Sequence, residues 1–206
     1  MKSILFMLSM NSFAADPNKP HSHQGKATVF TNPQKTKLDA KQIKIIQSGK
    51  PILTQVKQGD GGRGIAIMDL NASQDEIWNV ITDYANYPNH IPDLKSTQNY
   101  SVSDSNIYTH FTLSSMMMTV EYYVKHNLNK EKGYITWTLD YTRLSDLDDS
   151  TGYWYVYPSP DNPGKTRVEY TIDVRISGWV PPFIRNVLAD RGLKDATKWV
   201  KKAVEK

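Results

Sequence analysis

The chain has 206 residues, 39% hydrophobic and 22% charged, with a net charge of +4. That is long enough for one domain with a substantial core, and the positive surplus is too small to point to nucleic acid as a partner. There is no cysteine, which excludes disulfide frameworks, thiolate metal sites and cysteine nucleophiles.

Residues 1–15, MKSILFMLSMNSFAA, place Lys2 before an apolar run from Ile4 to Met10. Ser12 and Ala14 then supply small residues for a cleavage site. This is the pattern of a short signal peptide, too short to span a bilayer, and it predicts a periplasmic or secreted product. Residues 16–50 are polar and interrupted by Pro17, Pro20 and Pro33. They read as a flexible lead with one short helix over 38–49, where Leu38, Ile43 and Ile46 share a face and Gly49 and Pro51 stop it. His21 and His23 fall in this lead and are read as incidental, so no metal and no cofactor is expected. The segments 52–56 and 64–70 read as a hairpin or as two pieces of one long strand. The glycine-rich link between them lacks the Lys-Ser/Thr of a phosphate-binding loop.

The stretch 73–92, SQDEIWNVITDYANYPNHIP, organises the rest. Ser73 and Glu76 form a capping box. Ile77, Trp78, Val80 and Ile81 give the helix that follows one buried face. Pro88 and Pro92 hold the residues before them out of the α region, leaving room for one brief turn before extended chain. Trp78, Asp83, Tyr84, Tyr87, Pro88 and Pro92 together resemble the opening of START-like domains of the polyketide cyclase/dehydrase and coenzyme Q-binding kind. Leu38 and Gly49-Lys50-Pro51 are similar to the leader that precedes the first strand in exported members.

From residue 93 the period becomes two. Segment 94–102 is polar and edge-like. Segments 107–113, 119–128, 133–141, 152–158 and 166–176 follow. Phe111, Val120, Tyr122, Val124, Trp137, Trp154 and Tyr170 fall on the apolar side, and Arg167, Glu169, Asp173 and Arg175 on the polar side. This predicts an antiparallel meander with one buried face. An acidic turn at 146–149 reads as solvated. A long helix is predicted over 182–204, about 30 Å if unbroken, with Leu188, Gly192, Ala196, Trp199 and Val200 on its apolar face. Strand, two small helices, a strand run and a terminal helix is the order of the helix-grip fold. An α+β architecture is therefore expected over 51–206, with a curved antiparallel sheet wrapped around the last helix.

The resemblance implies a cavity between sheet and terminal helix, and a small hydrophobic molecule or lipid as the partner it would bind or transport. The residues assigned to its lining are Phe111, Tyr122, Val124, Trp137, Trp154, Tyr170, Leu188, Gly192 and Trp199. A cyclase- or aromatase-like enzyme using the same cavity is the alternative. His126 is its one candidate proton carrier, but no carboxylate pair accompanies it on that face, so no catalytic residue is assigned. A third reading is a membrane-surface or protein-interaction module. Arg185, Arg191, Lys194, Lys198, Lys201 and Lys202 make the last helix basic, which suits transient contact with an anionic membrane.

Overall fold

A computed structural model describes residues 15–58, 61–115, 118–176 and 190–205. Helix α1 (Ala40–Gln47) precedes the hairpin β1 (Ile52–Gln58) and β2 (Gly61–Leu70). Helix α2 (Gln74–Thr82) and a 3-10 turn (Tyr84–Asn89) lead into β3 (Leu94–Val102), β4 (Asn106–Ser115), β5 (Met118–Asn129), β6 (Tyr134–Leu139), β7 (Asp149–Pro158) and β8 (Thr166–Arg175). Helix α3 (Asp190–Val204) ends the chain. The eight strands form one antiparallel sheet in the order β1-β2-β8-β7-β6-β5-β4-β3. Strand β8 returns to pair with β2, so the hairpin extends the meander. No described helix is long and apolar enough to cross a membrane.

Local chemistry explains the entry to the sheet. The Ser73 N–H donates to the Glu76 carboxylate at 2.8 Å, and the Glu76 N–H donates to Ser73 Oγ at 3.2 Å. Asp39 and Gln42 form the same box at the start of α1. Ile77, Trp78 and Ile81 are the buried residues of α2. Strand β3 lies at the sheet edge, and its register shifts at Leu94/Ser96 and Asn99/Ser101. Such irregularities discourage edge-to-edge pairing.

The register places alternate residues on two faces. Phe111 pairs with Tyr122, His126 with Trp137, and Trp154 with Tyr170, so these side chains share the inner face. The main core joins that face to α2, the 3-10 turn, Trp199 and Val200. Two glycines shape it. Any Cβ at Gly64 on β2 would run into the Leu193 side chain of α3, and any Cβ at Gly152 would collide with the Trp137 ring.

The outer face differs from the expectation of one buried side. On β8, Arg167, Glu169, Thr171 and Asp173 are all buried. The cover is the segment expected to be a flexible lead, which lies along this face. Its Lys26 and Ala27 N–H groups donate to the Asp149 carboxylate, which also accepts from the Tyr141 hydroxyl at 2.8 Å. The Thr36 N–H donates to Glu169 at 3.0 Å. The Phe30 ring meets Tyr153 edge-on at 5.1 Å, and Arg63 stacks over Phe30 at 4.8 Å. His21 Nε2 donates to the Asp148 carbonyl at 2.9 Å. The acidic turn is thus a tether for the lead and not a solvated loop. The Asp146 and Asp149 carboxylates accept backbone N–H groups that would otherwise stay unpaired.

Beneath the lead, Arg167 and Asp69 form an ion pair at 2.8 Å, with side chains 1% and 0% exposed. Ser159 donates to the same carboxylate at 2.7 Å, and Asp161 takes the other side of the guanidinium at 2.7 Å. Removing one partner of a buried pair strands the other charge, at about 3–5 kcal/mol. Asp161 softens that loss. Asp69→Ala is expected to cost about 3 kcal/mol of unfolding free energy in urea titration. A change below about 1 kcal/mol would mean that the pair is no more than a surface bridge.

Candidate ligand-binding site

The 3-10 turn brings two phenols under the sheet. After α2, Asp83 bends the chain with φ −82° and ψ 66°. The Thr97 hydroxyl of β3 donates to the Tyr84 carbonyl at 2.6 Å, and the Tyr87 hydroxyl donates to the Ile81 carbonyl at 2.7 Å. The turn is therefore fixed to both the strand beside it and the helix before it. Tyr84 and Tyr87 are buried, with ring centroids 5.2 Å apart.

From this turn the rings run on without a break. Tyr84 stacks on His126 at 4.1 Å and meets Phe111 edge-on at 6.3 Å. Phe111 stacks on Tyr122 at 5.1 Å. His126 approaches Trp137 at 6.4 Å, Trp137 stacks on Tyr170 at 5.8 Å, and Tyr170 meets Trp154 at 4.3 Å. Trp154 contacts Trp199 of α3 at 6.5 Å, and Trp199 returns to Tyr87 at 4.9 Å. His90 stacks on the same indole at 5.2 Å. The rings thus form a closed circuit from turn to sheet to helix and back. Aromatic pairs at such separations add modestly to the burial of each ring.

Of the residues assigned from sequence, Phe111, Tyr122, Trp137, Trp154, Tyr170 and Trp199 belong to this circuit. Val124 is buried on the same face, opposite Thr109 and Leu139. Leu188 lies outside the described residues. Gly192 falls within α3, but the close approach of helix and sheet is made by Leu193 against Gly64. Tyr84 and Tyr87 belong to the sequence signature and His90 to the same stretch, and none of the three was placed in the wall. Aromatic residues after a capped helix and before a proline-locked strand have one side free to face the sheet, which was the available signal.

The electrostatics of this face are uniform. Burial pushes the phenols of Tyr84, Tyr87, Tyr122 and Tyr170 well above their ordinary range. Burial also pulls the His126 imidazole down to about 3, only partly offset by its bond to the Ile107 carbonyl. His126 is therefore neutral at physiological pH. Its Nδ1 donates to that carbonyl at 3.1 Å, which leaves Nε2 as a hydrogen-bond acceptor. Apart from the neutral His126, the inward positions of β4 to β8 hold no Asp, Glu, Lys, Arg or His; they are the residues in register with Phe111, Val124, Trp137, Trp154 and Tyr170. Among the described residues, no cluster of three or more His, Asp or Glu is placed to hold a metal ion. Such a face can bind apolar matter and offer it neutral hydrogen bonds.

The same architecture occurs in solved proteins. A STAR-related lipid transfer protein from Xanthomonas axonopodis superposes with a TM-score of 0.59 at 17% identity, covering 76% of this chain and 93% of that one. The Zhui aromatase/cyclase from Streptomyces sp. R1128 gives 0.57 at 13% identity, covering 75% and 94%. Human StAR-related lipid transfer protein 5 gives 0.54 at 12%, covering 74% and 86%. At these identities the likeness is one of fold, here the helix-grip fold expected from the sequence. Among curated proteins none matches in sequence. Residues 67–206 match the family model described as polyketide cyclase/dehydrase and lipid transport. That match spans well over half of the chain, from β2 through α3, and the chain belongs to this START-like family.

Proposed function

We propose that the protein binds and carries a small hydrophobic or lipid-like molecule against the aromatic circuit between sheet and α3. The observation that carries this reading is the state of Tyr122 and Tyr170. Both phenols are desolvated deep inside the protein, yet both side chains are only half-buried. A core filled by its own side chains would close over them. A face of open rings deep in the fold suits an apolar guest. The lipid-transfer relatives are consistent with this, and the aromatase/cyclase relative keeps chemistry in view. The neutral His126 favours binding over catalysis, because a base with so low a proton affinity accepts protons poorly near pH 7.

Delivery to or from a membrane fits the surface of α3, where Lys194, Lys198, Lys201 and Lys202 are all exposed. Each such charge near an anionic surface adds about 1 kcal/mol of attraction. Export fits the first residues of the chain, which lie outside the described ones. Cleavage after Ala14 would convert the Ala15 amide into an α-ammonium. That nitrogen already lies 2.9 Å from the Asp146 carboxylate, so the new terminus would gain a charge-assisted bond in place of a neutral one.

Three measurements test these statements. Protein incubated with lipid vesicles, re-isolated and extracted should carry lipid detectable by mass spectrometry. Capture from anionic vesicles should exceed capture from neutral ones at low salt and converge with it at 1 M salt; empty protein in every case would end the carrier reading. Expressed with its leader in a Gram-negative host, the protein should be recovered from the periplasm with a mass that starts at Ala15, whereas a cytosolic product starting at Met1 would refute export. The His126 ring should show neutral imidazole nitrogen shifts down to pH 5. Its folded pKa lies near 3 and its unfolded value is about 6.5. Only the unfolded chain takes up the proton in between, so the stability present above about pH 6.5 falls as pH drops toward 3, by up to about 1.4 kcal/mol per pH unit. A midpoint near 6.5 in the folded protein would contradict the buried, neutral ring.

A further inference from the structure

The inner wall holds a polar group that the protein itself leaves unpaired. The Tyr84 hydroxyl is buried, and no hydrogen-bond partner reaches it. The residue is 2% exposed. A buried hydroxyl is costly to leave unmade, and buried tyrosines ordinarily find a partner for the O–H. Tyr87, three residues on, follows that rule through the Ile81 carbonyl. Tyr84 is constrained differently. Its carbonyl is held by Thr97 on β3 and its ring is stacked on His126. The imidazole in turn is fixed by Ile107, with the lone pair of Nε2 left to accept.

This stacked pair therefore offers one phenolic O–H and one acceptor nitrogen at the β4–β5 end of the aromatic wall. The half-buried Tyr122 is next along, through Phe111. Apart from His126 itself, which is neutral, no Asp, Glu, Lys, Arg or His occupies the inward positions of those strands. A carboxylate or ammonium brought here would lose its water with no opposite charge to replace it. An alcohol would lose little, because a hydroxyl can accept from a phenol such as Tyr84 and donate to a neutral imidazole such as His126.

We propose that the Tyr84–His126 pair is the seat for the polar end of the bound molecule, and that it selects an uncharged hydroxyl over a carboxylate. This rests on the binding function proposed above and narrows the ligand class to neutral, hydroxyl-bearing amphiphiles. The same geometry explains why the phenol is tolerated unpaired: its cost is recovered when the ligand arrives.

Intrinsic tryptophan fluorescence offers the test, because Trp137, Trp154 and Trp199 all face the site. Wild-type protein is titrated at pH 7.5 with 1-decanol and with decanoate, two ten-carbon probes that differ in their head. Decanol is expected to bind at least tenfold more tightly. Tyr84→Phe should weaken decanol about five- to tenfold, leave decanoate unchanged, and unfold at equal or higher urea than wild type, since it deletes an unpaired buried hydroxyl. Equal or tighter binding of decanoate, or an unchanged decanol affinity in Tyr84→Phe, would overturn the seat while leaving the carrier function intact. Failure of both probes to bind the wild type would overturn the two together.

Discussion

The placement of α3 rests on a contact between a leucine and bare backbone. Leu193 sits where the β carbon of residue 64 would be, so the helix rests one leucine side chain away from the bare backbone of β2. Toward its C-terminal end the same helix is stopped by Trp199, wedged among Trp154, Tyr87 and His90. One anchor is tight and the other is bulky. Between them stand the rings of Tyr170 and Trp137, the latter laid across Gly152. Tyr122 and Tyr170, on the inner face that the helix covers, stay half-buried.

Charge is sorted by face with the same economy. Strand β8 alternates Arg167, Glu169, Thr171 and Asp173 outward with Val168, Tyr170, Ile172 and Val174 inward. Outward charges are each held by hydrogen-bonding neighbours: Asp69, Asp161 and Ser159 around Arg167, and Thr36 and Tyr157 on Glu169. The inner side receives only neutral groups. Ionisation of the inner phenols and of His126 is suppressed chiefly by burial. The chemistry open to the inner face is accordingly that of hydrogen bonds and ring contacts, which discriminate ligands by shape and by whether a head group is charged.

Much of this could be read from residues alone, and the reasons differ by region. The capping box at Ser73 and Glu76 is local, so its geometry follows from its spacing. The alternation in 107–113, 119–128, 133–141, 152–158 and 166–176 is set by contacts between neighbouring strands, and five of the nine assigned lining residues lie among the contacting rings because a period of two leaves no freedom about which face they take; Trp199 joins them from the apolar face of the last helix. The lead could not be read this way. Its partners, Asp149 and Glu169, are more than a hundred positions downstream, and its own composition of prolines and polar residues looks the same whether it is tethered or free. Glu169 and Arg167 were read as facing water for the same reason: a strand's pattern tells which residues share a face, and not whether something else covers it. Gly192 was assigned to the lining because glycine in a helix is conspicuous. The described contact of this helix with β2 is Leu193 against Gly64, and no helical pattern can reveal such a partner.

The tethered lead and the inner face are coupled through a single strand. On β8 the residue that receives the Thr36 N–H, Glu169, precedes Tyr170 of the ring circuit. A slip of β8 by one position against β2 or β7 would carry Glu169 inward and put Tyr170 under the lead. Ladder bonds alone resist this weakly, since a shifted ladder makes nearly as many of them. The lead makes the penalty large. Asp149 opposite Arg175 is bound to the N–H groups of Lys26 and Ala27, and Glu169 opposite Tyr155 is bound to Thr36. With β7 so tied to the lead, a shifted β8 would bury the Glu169 carboxylate among rings while the Thr36 N–H lost its acceptor, and each such loss is costly in a site without water. By this argument the outer strap holds the register that keeps the inner face uncharged, and the neutrality on which ligand choice depends is defended from the opposite side of the sheet.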